Sequence, residues 1–368
     1  MHAHRLRIAA AVCAAAVGAT ALAGCGSDSG GGADERHSRG AIKVGLLLPE
    51  TETARYERFD RPLIEKKVDR MTFGKGKVVY ANAEGDAARQ DSQVDEMIAA
   101  KVDVLIIDPV NAKSVAGAVK RAKDAGIPVI AYDRLAEGPV DVYTSFDNED
   151  VGKVQGQGLL DALGDKAGSG RIVMVNGAVT DPNAAAFKSG ARSVLDGKVT
   201  VGKEYDTADW KPENAKAHMQ SAIAALGKDG IVGVYSANDG MAGGIISALK
   251  AAGVSPLPPV TGQDAELAGV QRILLGEQYM SVYKPYVAEA SAAAELAVLL
   301  AEGQKFDGMI NQMVGSAGGR RVPAVLVPGI SVTRDTVQST VVSDGIYTVD
   351  EICTTPRLKA ACAEAGLE

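Results

Sequence analysis

Short apolar runs and amphipathic helical stretches alternate along this chain from residue 41 almost to its end. No other feature narrows the fold so far. "AIKVGLLL" is followed by a helical pattern from Tyr56 to Val68. "KVVYANA" precedes a helix from Asp86, in which Val94, Met97, Ile98 and Val102 recur at helical spacing. "DVLIIDP" precedes Ser114 to Ala125, and "GIPVIAYD" leads on to "VYTSFD". Runs that are apolar at nearly every residue suit strands covered on both faces, so the series predicts a parallel sheet between helical layers. After Asn148 the series restarts through "RIVMVNG", "VTVGKEYDT", "GIVGVYSAND" and "PVTGQDAEL". The pattern therefore predicts two doubly wound α/β lobes, each near ordinary domain size. Crossings between them are expected near 146–148, 262–264 and 283–285. That assigns 41–146 plus 264–283 to a first lobe, 147–263 plus 284–350 to a second, and 351–368 to a C-terminal extension.

The first 24 residues read as an export signal rather than as fold. Arg5 and Arg7 form a basic start, and Ile8 to Leu22 is a small, Ala-rich apolar run too short for a convincing membrane span. It ends in "LAGC", which resembles a lipobox and makes Cys25 the expected site of lipidation. Residues 25–40, "CGSDSGGGADERHSRG", hold no apolar residue larger than Ala after the cysteine and read as a flexible tether. About fifteen such residues reach roughly 20 Å, so a globular body can hang from the outer face of a membrane.

Charge and rare residues exclude several functions. The chain has 39 basic and 46 acidic residues, a net −7, and loses Arg5 and Arg7 with the signal. An acidic body without a basic run argues against nucleic acid as a partner. His218 is the one histidine in the predicted folded body, so a Ser-His-Asp triad or an imidazole metal site would have to use it. It sits in the helical stretch "NAKAHMQSAIAAL", where ordinary surface or packing duty accounts for it. Cys353 and Cys362 remain near the end, and in an exported chain a disulfide is the expected reading, two separate buried thiols the alternative.

In open α/β sheets ligands lie beyond the carboxyl ends of the strands. The residues found there are Arg55 and Tyr56, Asp133 and Arg134, Asp147 and Asn148, Asp181 and Asn183, Asp209 and Trp210, Asn238 and Asp239, Gln263 and Asp264, and Lys284. A surface ion pair or a helix cap would explain any one of them. Together they are planar acids, amides and cations with fixed hydrogen-bond forks, which suit sugar hydroxyls that both donate and accept. Aromatic residues make up only 4% of the chain, yet Tyr56, Tyr132, Phe146, Trp210 and Tyr283 fall at these ends, where they offer surfaces for apolar C–H faces.

"AYDRL", "SFDNEDVG", "WKPENA", "SANDGMAGG", "TGQDAELAG" and "VYKP" occur here in the order found in the xylose-binding proteins of bacterial ABC sugar importers. The chain resembles that group, of the ribose/galactose type of substrate-binding proteins, over about residues 41 to 345. The resemblance implies a type I periplasmic-binding-protein architecture, with two Rossmann-like lobes joined by three hinge strands and a pentose between them. It implies hydrogen-bonding roles for Arg55, Asp133, Arg134, Asp181, Asn183, Asn238, Asp264 and Lys284, and stacking roles for Tyr56 and Trp210. It also implies a permease partner, and a monomer without a cofactor is expected. Sugar-binding relatives can carry calcium, but no run of alternating Asp/Asn ligands of that kind stands in this sequence, so no metal is expected. Two departures stand near the expected cleft. "ARYERFDR" has Tyr56 where close relatives carry Trp, with an inserted residue near Phe59, and Pro182 stands where they tend to have Asn. Xylose therefore leads, with arabinose, glucose and galactose behind.

Two other readings differ in kind. A nucleotide-using enzyme on this fold needs a phosphate-cradling glycine loop after the first strand, but "PETETARYER" contains no glycine. A sugar sensor reporting to a receptor kinase would use the same binding chemistry, and the sequence does not separate it from a transport protein.

Overall fold

The structure is a computed structural model that describes residues 41–367. The expected export signal, Cys25 and the tether lie outside the described residues. The first lobe opens with β1 (Lys43–Leu48), α1 (Arg61–Met71), β2 (Lys77–Asn82), α2 (Ala87–Ala99), β3 (Val104–Ile107), α3 (Ala116–Asp124), β4 (Val129–Tyr132) and β5 (Val142–Phe146). Its central strands β3 and β4, and β1 after Lys43, are apolar and buried because both faces are covered. Leu47, Leu105, Ile107, Val129 and Ala131 enter one core. Their neighbours Leu46, Leu48, Ile106, Ile130 and Tyr132 enter another on the opposite face, as a two-residue side-chain period requires.

The chain then enters the second lobe through α4 (Asn148–Leu163), β6 (Arg171–Asn176), α5 (Pro182–Leu195), β7 (Thr200–Asp206), α6 (Pro212–Leu226), β8 (Ile231–Ser236), α7 (Asp239–Ala251), α8 (Leu267–Leu274) and β9 (Ser281–Tyr283). Strands β7, β6 and β8 form a parallel sheet in that order. The Gly-rich stretch of α4 lets α5 come very close. A Cβ added at Gly152 would lie 2.1 Å from the Phe187 carbonyl oxygen, and one at Gly190 would lie 1.9 Å from that of Glu149.

After β9 the chain returns to the first lobe. Helix α9 (Tyr286–Ala301) packs on α1 and on β3, β4 and β5, and β10 (Gln312–Gly315) and β11 (Arg321–Val327) extend the sheet. The first sheet therefore runs β10-β11-β5-β4-β3-β1-β2, parallel except for β10. A last crossing leads to β12 (Ile330–Val332), antiparallel to β9, and to α10 (Val349–Ile352) and α11 (Pro356–Glu364), which pack on α8.

These pairings correct the expected boundaries. Residues 264–283 belong with the second lobe, because α8 packs on α7 and β9 joins β12. Within 284–350, the part through β11 belongs with the first lobe, since Ala324–Val327 pairs in register with Tyr143–Phe146. The crossings fall after β5, after β9 and between β11 and β12, and the segment 262–264 is not one. A polar strand end looks the same whether the chain crosses there or merely lines a cleft. Residues 351–367 are no appendage either: Ile352, Cys353, Ala361, Cys362 and Leu367 are part of the second lobe's core. Cys353 and Cys362 are joined by a disulfide.

Candidate functional site

All ten residues expected at the site line one cavity between the lobes, together with Thr53, Phe187 and Gln263. Each of the ten is between 2% and 7% exposed, so almost none of the wall residues' surface is open to solvent.

First-lobe groups sit on the turns after β1 and β4. Asp133 follows β4 with φ of 52°, a left-handed conformation costly for a side-chain-bearing residue. Three donors hold its carbonyl oxygen: the Tyr143 hydroxyl at 2.7 Å, the Ser145 hydroxyl at 2.6 Å and the Asn183 amide at 3.0 Å. With the backbone fixed, the Asp133 carboxylate accepts from the Tyr56 hydroxyl at 2.7 Å and lies 3.6 Å from Arg55. Burial pushes the Asp133 carboxyl up, but Arg55, Lys284 and Arg134 outweigh it and hold it below its ordinary value. Arg134 meets Asp181 of the second lobe at 3.0 Å, donates to Glu50 at 3.4 Å, and lies 3.7 Å from the fully buried Asp108.

Second-lobe groups sit on helix N-termini and on turns. Asp181 caps α5 by accepting from the Asn183 backbone N–H at 2.8 Å, which leaves its other oxygen for Arg134. Asn238 caps α7 through its side-chain oxygen, 2.9 Å from the Met241 N–H, so its NH2 group is the part left for the cavity. Asp264, again left-handed at φ 87°, pairs with Lys284 at 3.1 Å, and its carbonyl accepts from the Tyr286 hydroxyl. Trp210, at φ 57°, packs edge-on to Phe187 with ring centres 6.4 Å apart. Its indole N–H is buried without a hydrogen-bond partner among the described residues. The indole passes so near Gly177 that a Cβ there would lie 2.0 Å from it.

The arrangement is a pocket of donors and acceptors in which each cation is already matched by carboxylates. A sequence profile for the periplasmic binding protein domain matches residues 44–305.

The chain belongs to the periplasmic binding protein family.

Among relatives of this binding protein, the D-xylose-binding periplasmic protein of Escherichia coli K12 is 37% identical over 319 residues, 84% of this chain and 92% of that one. A multiple sugar-binding periplasmic protein of Azospirillum brasilense is 35% identical over 327 residues, covering 83% of this chain and 89% of that protein. A solved ABC-transporter solute-binding protein from Clostridium phytofermentans, with bound β-D-glucose, superposes with a TM-score of 0.78 at 29% identity, over 84% of this chain and 99% of that one. These are solute-binding proteins, not enzymes.

Two wall residues, Thr53 and Phe187, have no counterpart among the strand-end residues, and a third, Gln263, stands at a strand end but outside the ten residues expected at the site. Phe187 lies one helical turn after Asn183, and that four-residue spacing puts both on one face of α5. Gln263 adjoins Asp264, and its buried side-chain oxygen has no partner among the described residues. Thr53 sits in a loop with no periodic signal. Behind the wall lie Asp60 and Glu289, both wholly buried against Arg55. His218 stacks on Tyr205 at 4.7 Å, outside the cavity lining.

Proposed function

We propose that this protein captures one neutral monosaccharide, D-xylose foremost, between its lobes and delivers it to an ABC permease. The observation that carries this reading is the convergence of ten strand-end residues from both lobes on a single cavity. Arg55, Arg134 and Lys284 are each paired with carboxylates, so an anionic ligand finds no uncommitted cation. A neutral polyol can instead donate to Asp133, Asp264 and Gln263 and accept from Arg55, Asn238 and Lys284. Trp210, Tyr56 and Phe187 supply apolar faces. The small size of the cavity favours a single ring over an oligosaccharide.

Binding and closure are then one process. A sugar that touches both lobes has more contacts in the closed state, and that difference in affinity drives the hinge. Charge-assisted hydrogen bonds contribute roughly 1.5–3 kcal/mol each. A few of them, less desolvation and ordering costs, supply the about −8 kcal/mol of a micromolar complex. The Escherichia coli relative supports xylose, while the Azospirillum and Clostridium relatives keep other pyranoses in the panel. Cys25 is the proposed lipid anchor on the outer face of the membrane, and the working form is a monomer.

Calorimetry against xylose, arabinose, ribose, glucose and galactose tests the reading. Xylose is expected to give the tightest binding, and Asp264→Ala to abolish the heat. Normal affinity in that variant, or no heat with any sugar, would overturn it. Acyl labelling that disappears in Cys25→Ala tests the anchor.

A further inference from the structure

We infer that Asp60 and Glu289 are positioning residues that hold Arg55 as a fixed donor toward the ligand, and that the π-helical turn before α1 is what brings Asp60 to it. This rests on the sugar reading of the cavity.

Arg55 is the largest fully buried side chain of the described residues. Its Nε donates to Asp60 at 2.8 Å, and its Nη2 donates to Glu289 and lies 3.4 Å from the Tyr132 hydroxyl. The guanidinium also lies over the rings of Tyr286, Phe146 and Tyr56 at 4.7, 5.3 and 5.5 Å. Two edges of the fork are thus committed. The third, Nη1, has no hydrogen-bond partner among the described residues and lies on the Asp133 side of the cavity. A planar donor held on two edges and flanked by aromatic rings presents its third edge in one direction only.

Stability alone does not account for this cluster. Burying two carboxylates against one guanidinium costs desolvation that an apolar substitute of similar volume avoids. Asp60 and Glu289 each keep one buried oxygen without a hydrogen-bond partner among the described residues. Such an arrangement fits a group whose orientation matters.

Asp60 reaches Arg55 through an unusual turn. Residues Tyr56–Asp60 form a π-helical turn, closed by the Arg61 N–H on the Tyr56 carbonyl. In an α-helix the residue four places on shares a face, whereas a π-turn moves that partner one place further. Arg55 and Asp60 are five apart. The π-helical spacing therefore places Asp60, rather than the residue before it, beneath Arg55. Glu289 comes from the first turn of α9, the helix that returns from the second lobe.

The test uses Asp60→Asn and Glu289→Gln in the full chain, which keep volume and remove charge, and titrates them with D-xylose and the other sugars by calorimetry. Each is expected to weaken binding about tenfold, the loss of one well-aimed charge-assisted hydrogen bond. In an Arg55→Lys background, which lacks the fork, each is expected to cost less than about twofold more, because both act through Arg55. Wild-type affinity in either folded variant, or the same tenfold loss in the Arg55→Lys background, overturns the inference. Should one variant fail to fold, the other decides. If the wild type gives no heat with any sugar, the reading of the cavity falls, and this inference with it.

Discussion

The guanidinium of Arg134 and the carboxylate of Asp181 stand 3.0 Å apart, one from each lobe, inside the cavity wall. The same guanidinium faces Asp108 and Glu50 in the first lobe. Arg134 therefore neutralises buried acids as well as facing the cavity. Arg134→Ala is expected to abolish sugar binding and also to cost roughly 3 kcal/mol of stability, as for a broken buried ion pair. Calorimetry and urea unfolding check the two effects separately. Unchanged stability would mean that Asp108 is adequately compensated without Arg134.

Trp210 is the sole tryptophan of the chain and lies in the cavity wall. Its emission is expected to shift when sugar is added, and Trp210→Phe to remove the signal. Gly177→Ala is expected to displace the indole, because the new Cβ would overlap it. That variant should show altered emission without ligand and about tenfold weaker sugar binding, a loss in the range of one displaced aromatic contact. Fluorescence titration reads both quantities.

Stability is expected to fall as pH rises from about 4.5 to 7.5. Burial raises Asp60 to about 6 against the pull of Arg55, and raises Asp239 to about 7 against Arg272, Gln278 and Ser281. An acid whose pKa rises on folding binds more protons folded than unfolded, so its stabilising protonation is lost as pH climbs through the folded value. Asp133 is shifted the other way, and its stabilising effect is lost only at lower pH, as the carboxyl becomes protonated. Asp239→Asn should flatten the slope of melting temperature between pH 5 and 7, whatever it does to the melting temperature itself. A slope unchanged in that variant would assign the effect to other buried acids.

The disulfide between Cys353 and Cys362 closes a loop of 9 residues beside α8, away from the cavity. Replacing both cysteines with serine is expected to cost about 2–3 kcal/mol from loop entropy. Sugar affinity should stay within about twofold, a bound set by the absence of either residue from the lining. Thermal unfolding with and without reductant, paired with calorimetry, distinguishes the two.

Much of this was legible from the sequence because parallel strands deliver their carboxyl ends to one edge. Polar residues just past several of the apolar runs become the cavity wall, which is why Asp133, Asn238 and Lys284 line one cavity although they lie far apart in the chain, whereas Asp147, Asp209 and Asp239 at similar ends do not line it. The allocation of 264–327 to lobes was not legible, because the pairing of Val325 with Thr144 spans a long sequence separation and leaves no local trace. Asp60 and Glu289 were not legible either, since nothing in a local window shows that Arg55 will be buried between them.

The π-turn at Tyr56–Asp60 also makes the length of this segment matter as much as its letters. Its closing bond runs from the Arg61 N–H to the Tyr56 carbonyl, and Asp60 lies under Arg55 only at that count of residues. Deleting one residue of the turn would carry the acid round to another side of the helix and leave Arg55 with one fewer buried partner.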